Sequence, residues 1–173
     1  MQTKNLPAKL NLSSITAIAD TREQQPWSFS RILLEPGTLA TGDYSLSGPL
    51  GSQVAIERKS LPDLVGVVGR DRERFERELV RMMAYPTRAI ICEATWAEID
   101  AGQWRGKVTV PMVRESLASW ISRGIPVVMA GTPSRAAFLA ESILIKVAQH
   151  RYRELRGFAG QLTKPCGNVP AKY

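Results

Sequence analysis

Hydrophobic and polar positions along the chain alternate between the two-residue period of strands and the 3.6-residue period of helices. Three short apolar runs predict strands: Ile15 to Asp20, Arg88 to Ala94 and Ile125 to Ala130. Leu39 to Leu46 and Val54 to Lys59 flank the turn-rich residues 47–52, which indicates a hairpin with a loose loop.

Helical patterns fill the intervals between these strands. The most regular is Arg70 to Tyr85, and a short helix should precede it with Ser60 as its N-cap. Further helices are predicted near Trp96, over Val110 to Arg123, and from Thr132-Pro133 to about Arg156. This alternation predicts an α/β domain whose central mixed sheet carries helices on both faces.

We expect one domain over residues 13–157, an N-terminal extension at 1–12 and a loosely held tail at 158–173. Cys92 and Cys166 are the two cysteines, so neither a zinc cluster nor a disulfide framework is indicated. With no apolar leader and no apolar run long enough to span a bilayer, the chain is expected to be cytoplasmic, with no membrane partner.

The net charge is +7 and the sequence pI is about 9.8. Such an excess is common in proteins that bind polyanions, so nucleic acid is the leading class of partner. Charge alone is weak support, because many basic proteins do not bind nucleic acid. The single histidine, His150, is interpreted as an ordinary helix residue.

Charged residues at the end of the second strand of the predicted hairpin suggest a catalytic site. Glu57 and Lys59 project to one face of a strand, and Arg58 projects to the other. If the preceding strand brings Asp43 alongside, two carboxylates and one ammonium converge. Phosphodiester hydrolysis uses such a set, because carboxylates hold Mg²⁺ and a lysine offsets developing negative charge. Asp20 could bind the same ion directly or through water.

Each residue also has an ordinary structural interpretation. Asp43 follows a glycine and could be a turn residue, and Glu57 with Lys59 could be the solvated face of an edge strand. Against the latter, Val54 to Ile56 makes the strand look central, and a charge on a buried strand needs a reason. Asp63 could complete a capping box, and Asp20 could cap the turn that follows it.

Four motifs occur in a fixed order: Asp20-Thr21-Arg22-Glu23, Gly42-Asp43-Tyr44, Glu57 to Leu64, and Gly69-Arg70. Together they resemble the nuclease domain of the XPF family of structure-specific endonucleases. That family's signature is GD, a variable spacer, then ERK, three residues and D, and this chain matches it without a substitution. The resemblance covers roughly residues 13 to 150.

The resemblance implies a restriction-endonuclease-like fold of the PD-(D/E)xK type and Mg²⁺-dependent cleavage of DNA, with Mn²⁺ as a substitute. The expected substrates are branched, flap or single-strand/double-strand junction DNA. By motif, Asp43 and Glu57 would be metal ligands and Lys59 the catalytic lysine. Other matched residues are supporting members of the site or candidate DNA contacts: Asp20, Arg58, Asp63, Glu23, Arg22 and Arg70. Arg70 could instead begin a solvated helix.

The chain departs from the family in three respects. We expect no tandem helix-hairpin-helix module, because the residues after Gly157 are too few to form one, and no helicase domain. The segment from Glu23 to Gly42 is also shorter than is usual in eukaryotic members. These differences suggest a compact microbial or viral version acting in the host cytoplasm. The alternative is a non-catalytic DNA-binding or dimerisation module, although such modules are expected to lose the charged groups that are intact here.

Two further expectations concern the last predicted helix. From Lys146 to Tyr173 there are six Lys or Arg residues against one acid, so we expect Arg151 and Arg153 to contact DNA. A homodimer is suggested by the family's pairing through the nuclease domain. It is also suggested by the apolar run Ile143-Leu144-Ile145, which is broader than one helix stripe needs.

Overall fold

The structure is a computed structural model that describes residues 6–162, so most of the predicted tail lies outside the described residues. The described chain forms six strands: β1 Thr16–Asp20, β2 Leu33–Gly37, β3 Tyr44–Leu46, β4 Val54–Lys59, β5 Thr87–Cys92 and β6 Val127–Met129. It also forms five α-helices: α1 Leu61–Val68, α2 Arg72–Met82, α3 Trp96–Ala101, α4 Val110–Ser122 and α5 Pro133–Leu162.

The strands form one sheet in the order β2-β1-β3-β4-β5-β6. β3 pairs antiparallel with β1 and with β4, whereas the β1–β2, β4–β5 and β5–β6 pairs are parallel. The predicted mixed sheet is therefore confirmed. Because β4, β5 and β6 are parallel, their carboxyl ends meet at one edge of the sheet.

Helix α5 covers one face of this sheet, and α1, α2 and α4 cover the other. Ile56 and Ile91 belong to the core on the α5 side. Their strand neighbours Ala55, Ile90 and Cys92 belong to the core on the other side. Both faces of β4 and β5 are therefore buried, as is typical of central parallel strands.

The strand β2 is absent from the sequence prediction. Its sequence Leu-Leu-Glu-Pro-Gly has no two-residue period and ends in two residues that favour turns. It pairs on one side only, and Leu33 is 55% exposed. Pro36 is compatible with this edge position, because a proline cannot donate a hydrogen bond to a second neighbour.

The predicted hairpin is also shorter than expected. Its first strand starts at Tyr44 rather than Leu39, and residues Gly48–Gln53 form a 3-10 helix. Helix α1 begins after Ser60, whose side chain accepts a hydrogen bond from the Asp63 backbone N–H, as the capping pattern predicts. Helix α5 continues past the predicted end near Arg156 to Leu162.

One buried carboxylate ties α5 to the loop before β2. Glu141 is 2% exposed, and its Oε1 accepts hydrogen bonds from the backbone N–H groups of Ser30 at 2.8 Å and Ile32 at 3.2 Å. Its Oε2 accepts one from Arg31 Nε at 2.9 Å. Burial alone would raise the pKa of Glu141, but the hydrogen bonds from Arg31 lower it below its ordinary value.

Among the described residues, no helix is both long enough and apolar enough to cross a bilayer.

Candidate active site

Alternation along β4 separates the three charged residues at its carboxyl end. Lys59 Nζ donates a hydrogen bond to Glu57 Oε1 and lies 4.8 Å from the centre of the Phe75 ring on α2. Arg58 faces the α5 side, where its guanidinium lies 5.5 Å from the Trp27 ring centre. Glu57 and Lys59 are thus buried beneath α2, and they are not the solvated face of an edge strand.

The turn before β3 brings Asp43 to the same end of the sheet. Gly42 has a φ of 75°, and a Cβ there would lie 3.0 Å from the Ile56 carbonyl oxygen, so the position favours glycine. The Asp43 backbone N–H donates to that carbonyl at 2.8 Å. Its Oδ2 accepts from the Arg58 backbone N–H at 2.7 Å. Asp43 is therefore bonded to both neighbours of Glu57.

The two oxygens of Glu57 have different surroundings. Its side chain is 4% exposed, and Oε1 accepts the hydrogen bond from Lys59. Oε2 is buried and receives no hydrogen bond from any group in the described residues. A buried acceptor without a donor costs about 1–3 kcal/mol, and more when it is charged. This oxygen is consequently suited to a cation.

Burial raises the pKa of Asp43 to about 6, although the Arg58 N–H and the Lys59 charge act in the opposite direction. Burial also raises the pKa of Glu57, with Lys59 opposing the rise and Asp43 and Glu78 adding to it. Burial would lower the pKa of Lys59, but Glu57 and Asp43 raise it on balance. The two carboxylates therefore favour additional positive charge at this point.

Arg58 anchors a network on the opposite face of β4. Its guanidinium pairs with Glu93 at 2.9 Å and with Glu23 at 3.2 Å. Glu93 also accepts a hydrogen bond from Trp27 Nε1 at 2.6 Å, and the Trp27 ring stacks on Tyr44 with ring centres 4.6 Å apart. The family-matched Glu23 thus holds the Arg58 side chain, while the Arg58 backbone holds Asp43.

Asp20 lies beside this cluster, and its carboxylate is already engaged. Its backbone N–H donates to the Asp43 carbonyl at 2.8 Å. Its carboxylate accepts hydrogen bonds from Arg22 Nε at 2.6 Å and from the Leu39 N–H at 2.8 Å. Arg22 lowers the pKa of Asp20 to about 2. In this conformation Asp20 orders the loop after β2, and its role as a metal ligand stays a prediction.

The remaining candidates lie on the surface. Asp63 is exposed and accepts a hydrogen bond from Ser60 Oγ at 2.6 Å, so it takes part in the cap of α1. The exposed Arg70 donates to Asp71 at 3.1 Å. Arg151 pairs with Glu154 at 2.8 Å, and Arg153 is exposed on the same part of α5. The structure does not bring the α5 arginines to the cluster around Glu57.

Three residues at this site were missed by sequence reasoning. Glu93 directly follows β5, and an acid at the carboxyl end of a buried strand is a signal that could have identified it. Phe75 matched the helix pattern as a core residue, and its contact with Lys59 depends on how α2 packs. Glu78 acts electrostatically on Asp43 and Glu57 from the same helix, which the sequence gives no means of foreseeing.

The residues present fit a hydrated Mg²⁺ ion. This ion keeps several waters and uses one or two carboxylates together with substrate phosphate oxygens. Asp43 and Glu57 supply two carboxylates, and Glu57 Oε2 has an unused lone pair. No group of three His, Cys, Asp or Glu residues within 6–162 is arranged to hold a metal by itself. Water and substrate would therefore complete the coordination.

A family profile described as the ERCC4 domain matches residues 19–141. The fold is similar to "XPF from Aeropyrum pernix", with a TM-score of 0.60 and 19% identity over 91% of this chain and 69% of that one. It is also similar to "XPF from Aeropyrum pernix, complex with DNA", with a TM-score of 0.57 and 19% identity over 78% of this chain and 65% of that one. No curated protein matches the chain in sequence. The predicted restriction-endonuclease-like fold and the resemblance to the XPF family are confirmed.

Proposed function

This chain belongs to the ERCC4 domain family, and on that premise we propose that it is a divalent-metal-dependent DNA endonuclease. Its reaction would be hydrolysis of a phosphodiester bond at branched, flap or single-strand/double-strand junction DNA. The observation that carries this proposal is the pairing of Lys59 with one oxygen of the buried Glu57, while the second oxygen lacks a donor in the described chain. A purely structural ion pair would satisfy both oxygens.

Asp43 and Glu57 would hold Mg²⁺, or Mn²⁺ in its place, with Asp20 as a further candidate. When bound, the ion supplies a Lewis acid for the phosphoryl oxygens and lowers the pKa of a coordinated water. Lys59 is fixed by Glu57 and by the Phe75 ring, so its ammonium can stabilise negative charge that develops on the phosphoryl group.

Arg58, Glu23 and Asp63 are proposed as positioning residues. The Arg58 backbone N–H fixes the Asp43 carboxylate, and its guanidinium is held by Glu23 and Glu93. Asp63 helps to fix the start of α1, directly after Lys59. Preorganised groups of this kind lower the cost of reorganisation during the reaction.

DNA is the proposed partner. Its support is the net charge of +7 and the family, together with the fold likeness to a protein described in complex with DNA. Arg22, Arg70, Arg151 and Arg153 are the proposed phosphate contacts, because each is basic and at least partly exposed.

A homodimer remains a separate proposal. Leu144 and Ile145 are buried in the chain's own core and Ile143 is partly buried, so the apolar run offers little free surface. Light scattering that gives only the monomer mass of 19.1 kDa, with and without DNA, would exclude the dimer.

Two substitutions test the catalytic proposal on labelled flap, fork, nicked, duplex and single-stranded DNA with Mg²⁺ or chelator. Glu57→Gln keeps the side-chain shape but removes a charged ligand, and Lys59→Ala removes the ammonium. Each should slow cleavage by about a hundredfold or more, while DNA binding survives. Circular dichroism would verify that both variants fold.

Two outcomes would overturn the assignment. If both variants cut as fast as the parent protein, the active-site residues lie elsewhere. If the parent binds DNA but never cuts it with Mg²⁺ or Mn²⁺, the chain is a non-catalytic binding module.

A further inference from the structure

A groove of about 520 Å³ runs along the exposed side of α1, away from the candidate active site. Four residues on one face of the helix form its floor: Pro62, Val65, Gly66 and Gly69. Pro62 lies in the first turn of α1, which directly follows β4, so the groove begins at the end of α1 that is nearer to the carboxyl end of β4. The two glycines carry no side chain and leave the floor open.

Three cations line this groove: Arg70, Arg105 and Lys107. All three are exposed, and no acidic residue belongs to the lining. Arg70 donates to the neighbouring Asp71 at 3.1 Å. Within residues 6–162, the side chains of Arg105 and Lys107 form no hydrogen bond or ion pair, so both are available to an anion.

The loop that carries Arg105 and Lys107 has a defined shape. Trp104 Nε1 donates to the Val108 carbonyl at 2.8 Å, which closes the loop, and Gly106 adopts a φ of 114° at its tip. The loop packs closely on the end of α1, where a Cβ at Gly69 would lie 2.8 Å from Val108 Cγ2. The two free cations are therefore presented on a preorganised support.

The length of α1 sets the distance between the cations and the catalytic lysine. Eight residues at 1.5 Å per residue give about 12 Å. One strand of DNA advances about 3.4 Å per nucleotide along the helix axis, and its backbone contour per nucleotide is longer. The cations should therefore lie within about three or four nucleotides of the phosphate at Lys59.

We propose that this groove binds the sugar-phosphate backbone of one DNA strand, with Arg105 and Lys107 contacting phosphates within about three or four nucleotides of the incised bond. The proposal rests on the endonuclease proposed above for its substrate. It adds a phosphate-binding site that determines where the strand lies relative to Asp43, Glu57 and Lys59. The charge of the groove supports it, because Arg105 and Lys107 are unpaired within residues 6–162, and Asp71, the acid beside the groove floor at Gly66, is paired with Arg70.

The test compares Arg105→Ala/Lys107→Ala with a matched variant, Arg77→Ala/Arg81→Ala. The second pair is exposed, lies outside the groove and removes the same charge. Binding to fork DNA is measured by fluorescence anisotropy without divalent metal, so that no cleavage occurs. Single phosphates in the strand are then replaced one at a time by neutral methylphosphonates.

At one phosphate, or at each of two adjacent phosphates, neutralisation should lower the parent's affinity for DNA about three- to tenfold. Neutralising the same phosphates should not lower the affinity of the groove variant any further. The groove variant should also show a salt slope smaller by about 2, since each phosphate contact contributes about 0.9. Identical methylphosphonate profiles for parent and groove variant would overturn the site. The site would also be overturned if both double variants changed the methylphosphonate profile equally. A parent protein that binds no DNA would overturn it as well.

The scan needs no cleavage, so the two proposals can fail separately. If the parent cuts DNA but no phosphate position depends on Arg105 and Lys107, the groove proposal is wrong and the endonuclease proposal stands. If one or two phosphate positions depend on Arg105 and Lys107 but the parent never cuts DNA, the endonuclease proposal is wrong and the groove remains a DNA-binding site.

Discussion

The carboxylate of Glu57 lies on a central strand with one oxygen bonded to Lys59 and the other without a donor in the described chain. Desolvating a carboxylate costs several kcal/mol, and a neighbouring ammonium offsets this only in part. A divalent cation is a stronger partner, because it carries two charges and takes carboxylate oxygens as ligands. The site should therefore be stabilised by Mg²⁺.

Thermal unfolding measures this stabilisation. At a Mg²⁺ concentration about tenfold above its dissociation constant, binding adds about 1.4 kcal/mol to the free energy of unfolding. For a chain of this length the midpoint should rise by roughly 3 to 6 °C. The rise should disappear in Glu57→Gln and persist in Lys59→Ala, because the lysine is not a ligand.

Glu35→Gln is the matched control, since Glu35 is exposed on the edge strand β2. It should respond to Mg²⁺ like the parent. A Glu57→Gln protein that gains as much stability as the parent would show that the ion binds elsewhere.

The sequence predicts that Glu57 and Lys59 lie on one face of a strand, because side chains alternate along it, and the motif match adds Asp43 to them. Their catalytic roles stay a prediction. Glu78, Glu93 and Phe75 come from other elements. Their contacts depend on how α2 and β5 pack against β4, at separations that a local pattern does not encode.

At the scale of elements, the buried strands and most of the helices follow from periodicity and caps. β4 and β5 are apolar runs covered on both faces, and the helices predicted near Trp96 and over Val110 to Arg123 are observed with Thr95 and Thr109 as their N-caps. β2 escapes prediction because pairing with β1 decides its conformation while its own residues favour a turn. Tertiary pairing overrides local preference most easily at such an edge.

Helix α5 depends on Glu141 for its attachment to the loop before β2. Because the pKa of Glu141 is lowered in the folded state, its contribution to stability is complete above the unfolded value of 4.5. That contribution is lost as the pH falls through the folded-state pKa. Glu141→Gln should therefore reduce the free energy of unfolding by about 1–3 kcal/mol at pH 7. Urea unfolding at several pH values measures the difference.

The stability gap between the parent and Glu141→Gln should narrow as the pH drops below 4.5. Glu115→Gln, at an exposed position on α4, should match the parent at every pH. A gap that stays constant with pH would mean that packing, and not the charge of Glu141, attaches the helix.

At the scale of the whole molecule, α5 extends well beyond the site. Its 30 residues span about 45 Å, and Arg151 lies about 27 Å from its first residue. Pro133, the first residue of α5, lines the same groove as Arg58, so any DNA that Arg151 and Arg153 contact should lie several base pairs from the proposed active site.

Arg151→Glu/Arg153→Glu should weaken DNA binding and lower the salt slope by about 2. Arg156 is left intact, because it donates to the Ala8 carbonyl at 2.8 Å and holds the N-terminal segment. Anisotropy titrations at several salt concentrations provide the measurement.

Exchanging Arg151 and Glu154 retains both the net charge and the ion pair between these positions. This exchanged variant should keep most of the parent's salt slope. If the salt slope of Arg151→Glu/Arg153→Glu equals that of the parent, these arginines do not contact DNA and belong to a solvated helix face.

Because α5 covers one face of the sheet, its late position in the chain affects folding during synthesis on the ribosome. β1, β3 and β4 supply most of that face and are complete by residue 59, Ile91 of β5 follows, and α5 begins at residue 133. At about 5–20 residues per second, a ribosome needs roughly 4–15 s to synthesise the intervening segment. During that interval β3 and β4 lack their contacts with α5, and only the other face of the sheet can close over α1 and α2. A nascent chain that stalls before α5 emerges therefore presents an uncovered apolar sheet, which is the kind of surface that chaperones bind.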